Sequence, residues 1–199
     1  ESMPGIDQYT VSCLHFQNRV WTFYGNAQID TAQKPFGTGS LLLDGTGDYI
    51  TTPASSDLAM GTGDFTIDCW IRTPSLKDYN VIYDSRYDSH SSSAGLCFGL
   101  NSSGSVYVYT GGSFRIVTAT TLSTDTWYHL ALVRNGNVHT IYIDGTADTN
   151  TWTNASDYSN QYALVGIEWT LTNNGFNGWL AEFRITKGLA RWTSNFTPP

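Results

Sequence analysis

The sequence predicts an all-β fold, a two-sheet antiparallel sandwich of the jelly-roll type, and three observations support this class. Apolar and polar residues alternate with a period of two in many short segments, as in strands with one buried face. Turn-forming runs such as Asp44–Gly47 and Asn173–Gly175 separate these segments. No stretch of the sequence keeps a 3.6-residue period over the roughly 11 residues of an ordinary helix.

The clearest local prediction is a β-hairpin in the second half of the chain. Segment 127–134 is largely apolar on both of its faces, which favours a central strand that is covered on each side. Asn135 and Gly136 supply a tight turn, and segment 138–143 is the predicted return strand. The dipeptide 144–145, Asp-Gly, marks the next turn.

The remaining strands are distributed along the whole chain, so a single domain is expected. A chain of 199 residues fits one large β domain. We expect residues 1–10 to be an N-terminal extension and residues 11–199 to form the sandwich, with Trp192 packing the tail onto it. Segment 149–161 is too polar for a core strand and is predicted as a loop. The further predicted strands are 11–16, 40–43, 48–52, 65–72, 80–84, 95–100, 105–109, 114–118, 162–167 and 177–186.

The charge of the chain argues against two classes of partner. Seventeen Asp and Glu residues against ten Lys and Arg residues give a formal net charge of −7 at pH 7. A negative field of this kind opposes binding to nucleic acid and to anionic membrane surfaces. No uninterrupted apolar stretch of the sequence approaches the roughly 18 residues of a membrane span, so we expect no membrane insertion.

Five ordered segments of the sequence resemble one known family. They read FGTGSLLLDGTGDYI (36–50), GDFTIDCWI (63–71), WYHLALVR (127–134), YIDG (142–145) and FNGWLAEFRITKG (176–188). This pattern resembles the concanavalin A-like lectin/glucanase superfamily, and within it the laminin-G-like, pentraxin-related branch. The ending of the chain is similar to domains of phage structural proteins and phage-encoded adhesins.

The resemblance implies both a fold and a function. It implies a concanavalin A-like jelly roll whose concave face or rim loops hold a glycan or polysaccharide, often with calcium nearby. It also implies an extracellular or virion-surface location, with other virion or adhesin subunits as further partners. His15 and Phe16 are followed by Gln17, where relatives often carry an Asp suited to calcium. This difference argues against a family-type calcium site.

The candidate binding residues lie mainly in loops. Carbohydrate sites combine an aromatic ring, against which a sugar packs, with polar side chains that bind hydroxyl groups. Two predicted loop regions have this mixture, and a third, polar loop carries Trp152. On the strands, Tyr107, Tyr109, Phe114 and Arg115 are candidates for lining the concave sheet face. The loop candidates are Tyr83, Asp84, Arg86, Tyr87, Asp88, Trp152, Glu168, Trp169, Asn173 and Asn174.

Metal binding and catalysis have fewer candidate residues. Asp84 and Asp88 are the candidate oxygen ligands for Ca²⁺, although a domain of this size needs no cofactor to fold. Glu168 and Glu182 are the interior glutamates of the sequence, so they are the pair considered for a glycosidase mechanism. No histidine has a nucleophile or a metal-ligand spacing beside it in the sequence.

These observations favour a non-catalytic, lectin-like module that binds carbohydrate. Two alternatives stay open from the sequence. One is a structural decoration or assembly domain whose aromatic loops contact another protein. The other is a glycoside hydrolase that uses Glu168 and Glu182.

Overall fold

The computed structural model describes residues 10–13, 20–86, 92–172 and 174–199. Within these ranges the chain forms fifteen strands and one short 3-10 helix, Ser56–Leu58. In chain order the strands are β1 Thr10–Cys13, β2 Thr22–Tyr24, β3 Gln28–Asp30, β4 Ser40–Asp44, β5 Tyr49–Thr51, β6 Phe65–Arg72, β7 Asn80–Asp84, β8 Cys97–Leu100, β9 Ser105–Thr110, β10 Ser113–Thr121, β11 Tyr128–Asn135, β12 Val138–Ile143, β13 Thr146–Thr153, β14 Leu164–Val165 and β15 Asn177–Lys187.

The described strands form two antiparallel sheets. The first has eight strands in the order β13-β12-β11-β6-β15-β4-β3, with β1 paired to β15. The second has seven strands in the order β10-β9-β8-β7-β14-β5-β2. This arrangement confirms the predicted all-β sandwich of the jelly-roll type.

The main core lies between the two sheets. Alternate residues of β6, from Phe65 through Ile67 and Cys69 to Ile71, are buried in it. Alternate residues of β8 and β9, among them Phe98 and Val108, are buried in the same cluster from the other sheet. Because burying each large apolar side chain contributes roughly 1.5–3 kcal/mol, this continuous layer stabilises the sandwich.

The predicted hairpin is confirmed. Asn135 pairs with Val138 across the turn, where Gly136 has a φ of +59°. Strand β11 lies between β6 and β12, so it is central to its sheet. Leu130 and Leu132 belong to the main core, whereas the alternate residues of β11 belong to a second cluster on the other face. Both faces of this strand are therefore covered, as its composition indicates.

The C-terminal segment, residues 188–199, packs on the outer face of the eight-stranded sheet. Trp192 and Phe196 stack on each other with ring centroids 4.0 Å apart, and both rings contact His129 edge-on. The Phe196 amide donates to the Gly145 carbonyl oxygen at 2.9 Å. Trp192 therefore packs the tail onto the sandwich, as expected.

Other strands differ from the sequence prediction. Residues 146–153 form β13, although residues from 149 onward were predicted as loop. Tyr158, in the same predicted loop, is 2% exposed and belongs to the core. Strands β2 and β3 are short, mostly exposed and were not predicted. Polar edge strands of this kind carry little apolar alternation, which is the signal that sequence analysis uses.

The described residues contain no helix of the length and apolar character needed to cross a membrane. The predicted domain boundary at residue 10 stays a prediction.

Candidate functional site

A cavity of about 390 Å³ lies on the face of the seven-stranded sheet that is turned away from the main core. Its floor comes from β7, β8 and β9, and a loop after β14 forms one wall. The lining residues are Tyr79, Val81, Arg86, Cys97, Tyr107, Tyr109, Glu168 and Asn174.

Strand register places the floor residues side by side. Cys97 pairs with Tyr109, and Gly99 pairs with Tyr107, so these side chains point to the same outer face. A Cβ atom at Gly99 would lie 2.8 Å from the Tyr107 hydroxyl oxygen and 2.6 Å from the Asn80 carbonyl oxygen. Glycine at this position therefore leaves the room that the Tyr107 side chain occupies.

Aromatic rings form one side of the cavity. Tyr79 is 43% exposed and stacks on Phe114, with ring centroids 6.0 Å apart. The rings of Tyr107 and Tyr109 also make edge-to-face contacts with Phe114, at centroid distances of 5.2 and 5.1 Å. Edge-to-face and offset contacts at these distances are favourable, so the four rings support one another.

A buried ion pair lies beneath the aromatic group. Arg86 donates from Nε to Asp84 Oδ1 at 3.0 Å and from Nη2 to Asp84 Oδ2 at 2.7 Å. The guanidinium carbon also lies 4.9 Å from the centre of the Tyr109 ring, which is a cation–π contact. Burial alone would lower the pKa of Arg86, but the hydrogen bonds and charge of Asp84 raise it above its ordinary value.

The loop after β14 adds a carboxylate and an amide. Glu168 is 7% exposed, and its Oε1 accepts from the Thr170 hydroxyl at 2.8 Å. Two backbone contacts tie this loop to β7: the Trp169 amide donates to Asp84 Oδ2 at 3.1 Å, and the Val81 amide donates to the Asn174 carbonyl oxygen at 3.3 Å. The wall that carries Glu168 and Asn174 is thus held against the floor.

Several predicted candidates come together here. Arg86, Glu168 and Asn174, predicted from two separate loops, line one cavity. Asp84 and Trp169 support it through the contacts just described. The strand candidates Tyr107 and Tyr109 lie on its floor, and Phe114 packs against them. Tyr87, Asp88 and Asn173 lie outside the described residues.

Two candidates lie elsewhere: Tyr83 is corrected to a core residue, whereas a ligand-binding role for Trp152 stays a prediction. Tyr83 is fully buried in the main core, with its ring 5.9 Å from Phe183, because a bulge in β7 turns it inward. Trp152 lies in β13 of the other sheet, where its ring contacts His139 at 5.0 Å. Arg115 lies 5.5 Å above the Trp152 ring and is not among the residues that line the cavity.

The sequence prediction missed Tyr79, Val81 and Cys97. Tyr79 follows Asp78 in a turn and has a φ of +60°, a rare conformation for a bulky residue. The position of an aromatic residue directly before a predicted strand could have identified Tyr79 as a candidate binding residue. Val81 and Cys97 have the composition of ordinary buried strand residues, so only the strand register identifies their place.

Hydrogen bonds engage both carboxylate oxygens of Asp84, one of the two candidate calcium ligands. Asp84 Oδ1 accepts from the backbone amide and Nε of Arg86, and Oδ2 accepts from Nη2 of Arg86 and the amide of Trp169. Four donors therefore occupy the two oxygens that Ca²⁺ would need. The described part of the chain holds no group of three or more His, Cys, Asp or Glu side chains suited to a metal ion.

The two glutamates considered for catalysis are separated by the fold. Glu168 lines the cavity on the seven-stranded sheet. Glu182 lies in β15 of the eight-stranded sheet, at a bulge where its φ is +52°, and it is not among the lining residues. Glycosidases place two carboxyl groups about 5–10 Å apart on either side of one bond, and this pair does not flank a common cavity.

A family model for the concanavalin A-like lectin/glucanases superfamily matches residues 44–190. The chain belongs to this superfamily. The match covers most of both sheets and includes Arg86, Glu168 and Asn174. A search among curated proteins found no match.

Several solved structures share this fold. Domain 4 of AbnA, an extracellular arabinanase from Geobacillus stearothermophilus solved with arabinotriose, matches with a TM-score of 0.65 and 18% identity over 84% of this chain and 82% of that domain. The binding domain of botulinum neurotoxin DC, solved with SialylT, matches with a TM-score of 0.65 and 16% identity over 92% of this chain. This chain spans about half of that toxin chain, 49%.

Proposed function

We propose that the chain is a non-catalytic, lectin-like module that binds a glycan in the cavity on the outer face of the seven-stranded sheet. The observation that carries this proposal is the combination of residues in one cavity. Aromatic rings of Tyr79 and Tyr109 lie beside the guanidinium of Arg86, the carboxylate of Glu168 and the amide of Asn174. This is the combination of an apolar platform and planar polar groups that sugar recognition requires.

The geometry suggests how each group would act. The exposed ring of Tyr79 would pack against the C–H face of a sugar, because such faces are apolar. Glu168 would accept from sugar hydroxyl groups, Arg86 would donate to them, and Asn174 can do both. A cavity of about 390 Å³ falls within the roughly 300–1,000 Å³ of ordinary small-molecule sites.

The polar groups are held in place before any ligand arrives. Asp84 fixes the guanidinium of Arg86 through two hydrogen bonds, and Thr170 fixes one carboxylate oxygen of Glu168. Immobilising a flexible side chain during binding costs roughly 0.5–1.5 kcal/mol, so side chains that are already ordered retain more of their interaction energy. Preorganisation of this kind supports a binding role.

The similar structures support carbohydrate as the ligand class. The AbnA domain was solved with arabinotriose. A further neighbour, from a study of cell entry by botulinum neurotoxin type C through two ganglioside molecules, matches with a TM-score of 0.61 and 16% identity over 86% of this chain. An extracellular location belongs to the same proposal, because the AbnA enzyme is described as extracellular.

The absence of catalysis is also part of the proposal. Glu168 is the one carboxylate among the lining residues of the described chain, and Asp84 behind it already accepts four hydrogen bonds. A retaining or inverting glycosidase needs a second carboxyl group that can exchange a proton or bind the sugar. We therefore expect no turnover on a broad polysaccharide panel.

A glycan array followed by calorimetry tests the proposal. Tyr79→Ala should weaken binding of any array hit by about tenfold, since a desolvated ring contact contributes on the order of 1–2 kcal/mol. Tyr24→Ala is a matched control, because Tyr24 is 42% exposed against 43% for Tyr79 and does not line the cavity. This control should bind like the unmodified chain.

Two results would overturn the proposal. Equal losses in the Tyr79 and Tyr24 variants would show that the cavity is not the site. No array hit, together with a stable oligomer in size-exclusion chromatography, would favour the assembly domain instead.

A further inference from the structure

We propose that the cavity selects uncharged glycans over glycans that carry a carboxylate, and that Glu168 determines this selectivity. The inference rests on the proposed function, because it concerns the ligand class of the same cavity. It follows from the charges of the groups that line the cavity and from those that surround it.

The single arginine of the cavity lining does not act as a free cation. Arg86 is 3% exposed, and Asp84, which is fully buried, accepts two of its N–H groups at 3.0 and 2.7 Å. A pair in this side-on geometry is close to neutral as seen from the cavity. A ligand carboxylate would therefore find donors on Arg86 but little net attraction.

Glu168 leaves the described lining with a net negative charge. The Thr170 hydroxyl donates a hydrogen bond to the Glu168 side chain, and Glu168 is only 7% exposed. Water therefore screens this carboxylate weakly. A second carboxylate brought into the same cavity would be repelled, and like charges placed together at an interface are strongly disfavoured. Sugar hydroxyl groups, in contrast, can donate to Glu168 without this penalty.

In the described part of the chain, no cation other than Arg86 lines the cavity. Arg115 donates to the carbonyl oxygens of Thr110 and Gly111, and its guanidinium lies over Trp152. Lys77 donates to the Gly45 carbonyl oxygen at 3.1 Å and does not line the cavity. The net charge of −7 over the whole chain adds to the repulsion of acidic glycans at low salt.

The test compares neutral and acidic ligands of matched size by titration calorimetry at low ionic strength. Suitable pairs are galactotriose with trigalacturonate and 3′-galactosyllactose with 3′-sialyllactose. In each pair of ligands that binds, we expect the acidic member to bind at least about tenfold more weakly than the neutral member. In Glu168→Gln, which keeps the shape of the side chain, this difference should fall to less than about threefold.

Asp78→Asn is the matched control. Asp78 is an exposed carboxylate next to Tyr79 that accepts from Ser102 and does not line the cavity, so its removal should leave the ratio unchanged. Equal affinity for both members of each pair, or an unchanged ratio in Glu168→Gln, would overturn the selectivity and leave the proposed function standing. No binding to any neutral or acidic ligand would overturn both.

Discussion

His139 is a buried histidine that the fold holds in its neutral form, and this leads to a prediction about pH. Its Nδ1 donates to the Trp152 carbonyl oxygen at 3.2 Å, and its Nε2 accepts from the Tyr158 hydroxyl at 3.1 Å. The side chain is 0% exposed. Burial, assisted by the positive charge of Arg134, lowers the pKa of His139 from 6.5 to about 4.

The sign and size of the effect follow from this pKa. As the pH falls below 6.5, the unfolded chain binds a proton at His139 while the folded chain does not, so protonation favours unfolding. The stabilisation is complete above the unfolded pKa and is lost as the pH falls through the folded one. One pH unit between the two pKa values corresponds to about 1.4 kcal/mol, so about 3 kcal/mol should be lost between pH 6.5 and pH 4.

Urea unfolding at several pH values from 7 to 4 measures this loss. Acidic side chains elsewhere also titrate in this range, so the unmodified chain is compared with His139→Gln, in which the amide can still donate and accept. The variant should be less stable than the unmodified chain at pH 7. On acidification its free energy of unfolding should fall by about 3 kcal/mol less than that of the unmodified chain. Parallel pH curves for the two proteins would refute the reasoning.

Two further predictions concern stability; urea unfolding checks the first, and limited proteolysis checks the second. Asp84→Asn leaves a guanidinium buried without its counter-charge and should destabilise by about 3–5 kcal/mol. The same change at Asp125, whose side chain is 58% exposed and pairs with Arg72, should cost less than about 1 kcal/mol, and equal costs would contradict this account. Gly145→Ala places a Cβ atom 1.8 Å from the Phe196 carbonyl oxygen and should release the C-terminal segment to proteolysis. Gly136→Ala also has positive φ but open space around the Cβ, so its tail should stay protected.

Much of the fold could be predicted because apolar periodicity follows directly from burial. The central strand β11 has apolar residues on both faces, and the structure covers it with the main core on one side and with Trp192 and Phe196 on the other. Strand β13 was missed because its exposed, polar sequence resembles a loop. Its strand conformation comes from pairing with β12, which local sequence does not report.

The candidate site could be predicted in part. Arg86, Glu168 and Asn174 have the polar and planar side chains that suit sugar binding, so composition was enough to select them. Their convergence depends on long-range contacts such as the hydrogen bond between the Trp169 amide and Asp84. Tyr83 was predicted wrongly because a bulge in β7 changes which side chain faces inward, and a bulge leaves no clear mark in the sequence.

Mapping the ligand contact by nuclear magnetic resonance tests the central claim most directly. The measurement follows the backbone amide signals of the chain during titration with a neutral oligosaccharide identified on the glycan array. This account predicts that the largest shifts occur at Tyr79, Tyr107, Tyr109, Glu168 and Asn174, around the cavity of the seven-stranded sheet. Shifts confined to the outer face of the eight-stranded sheet, near Trp192, would contradict it.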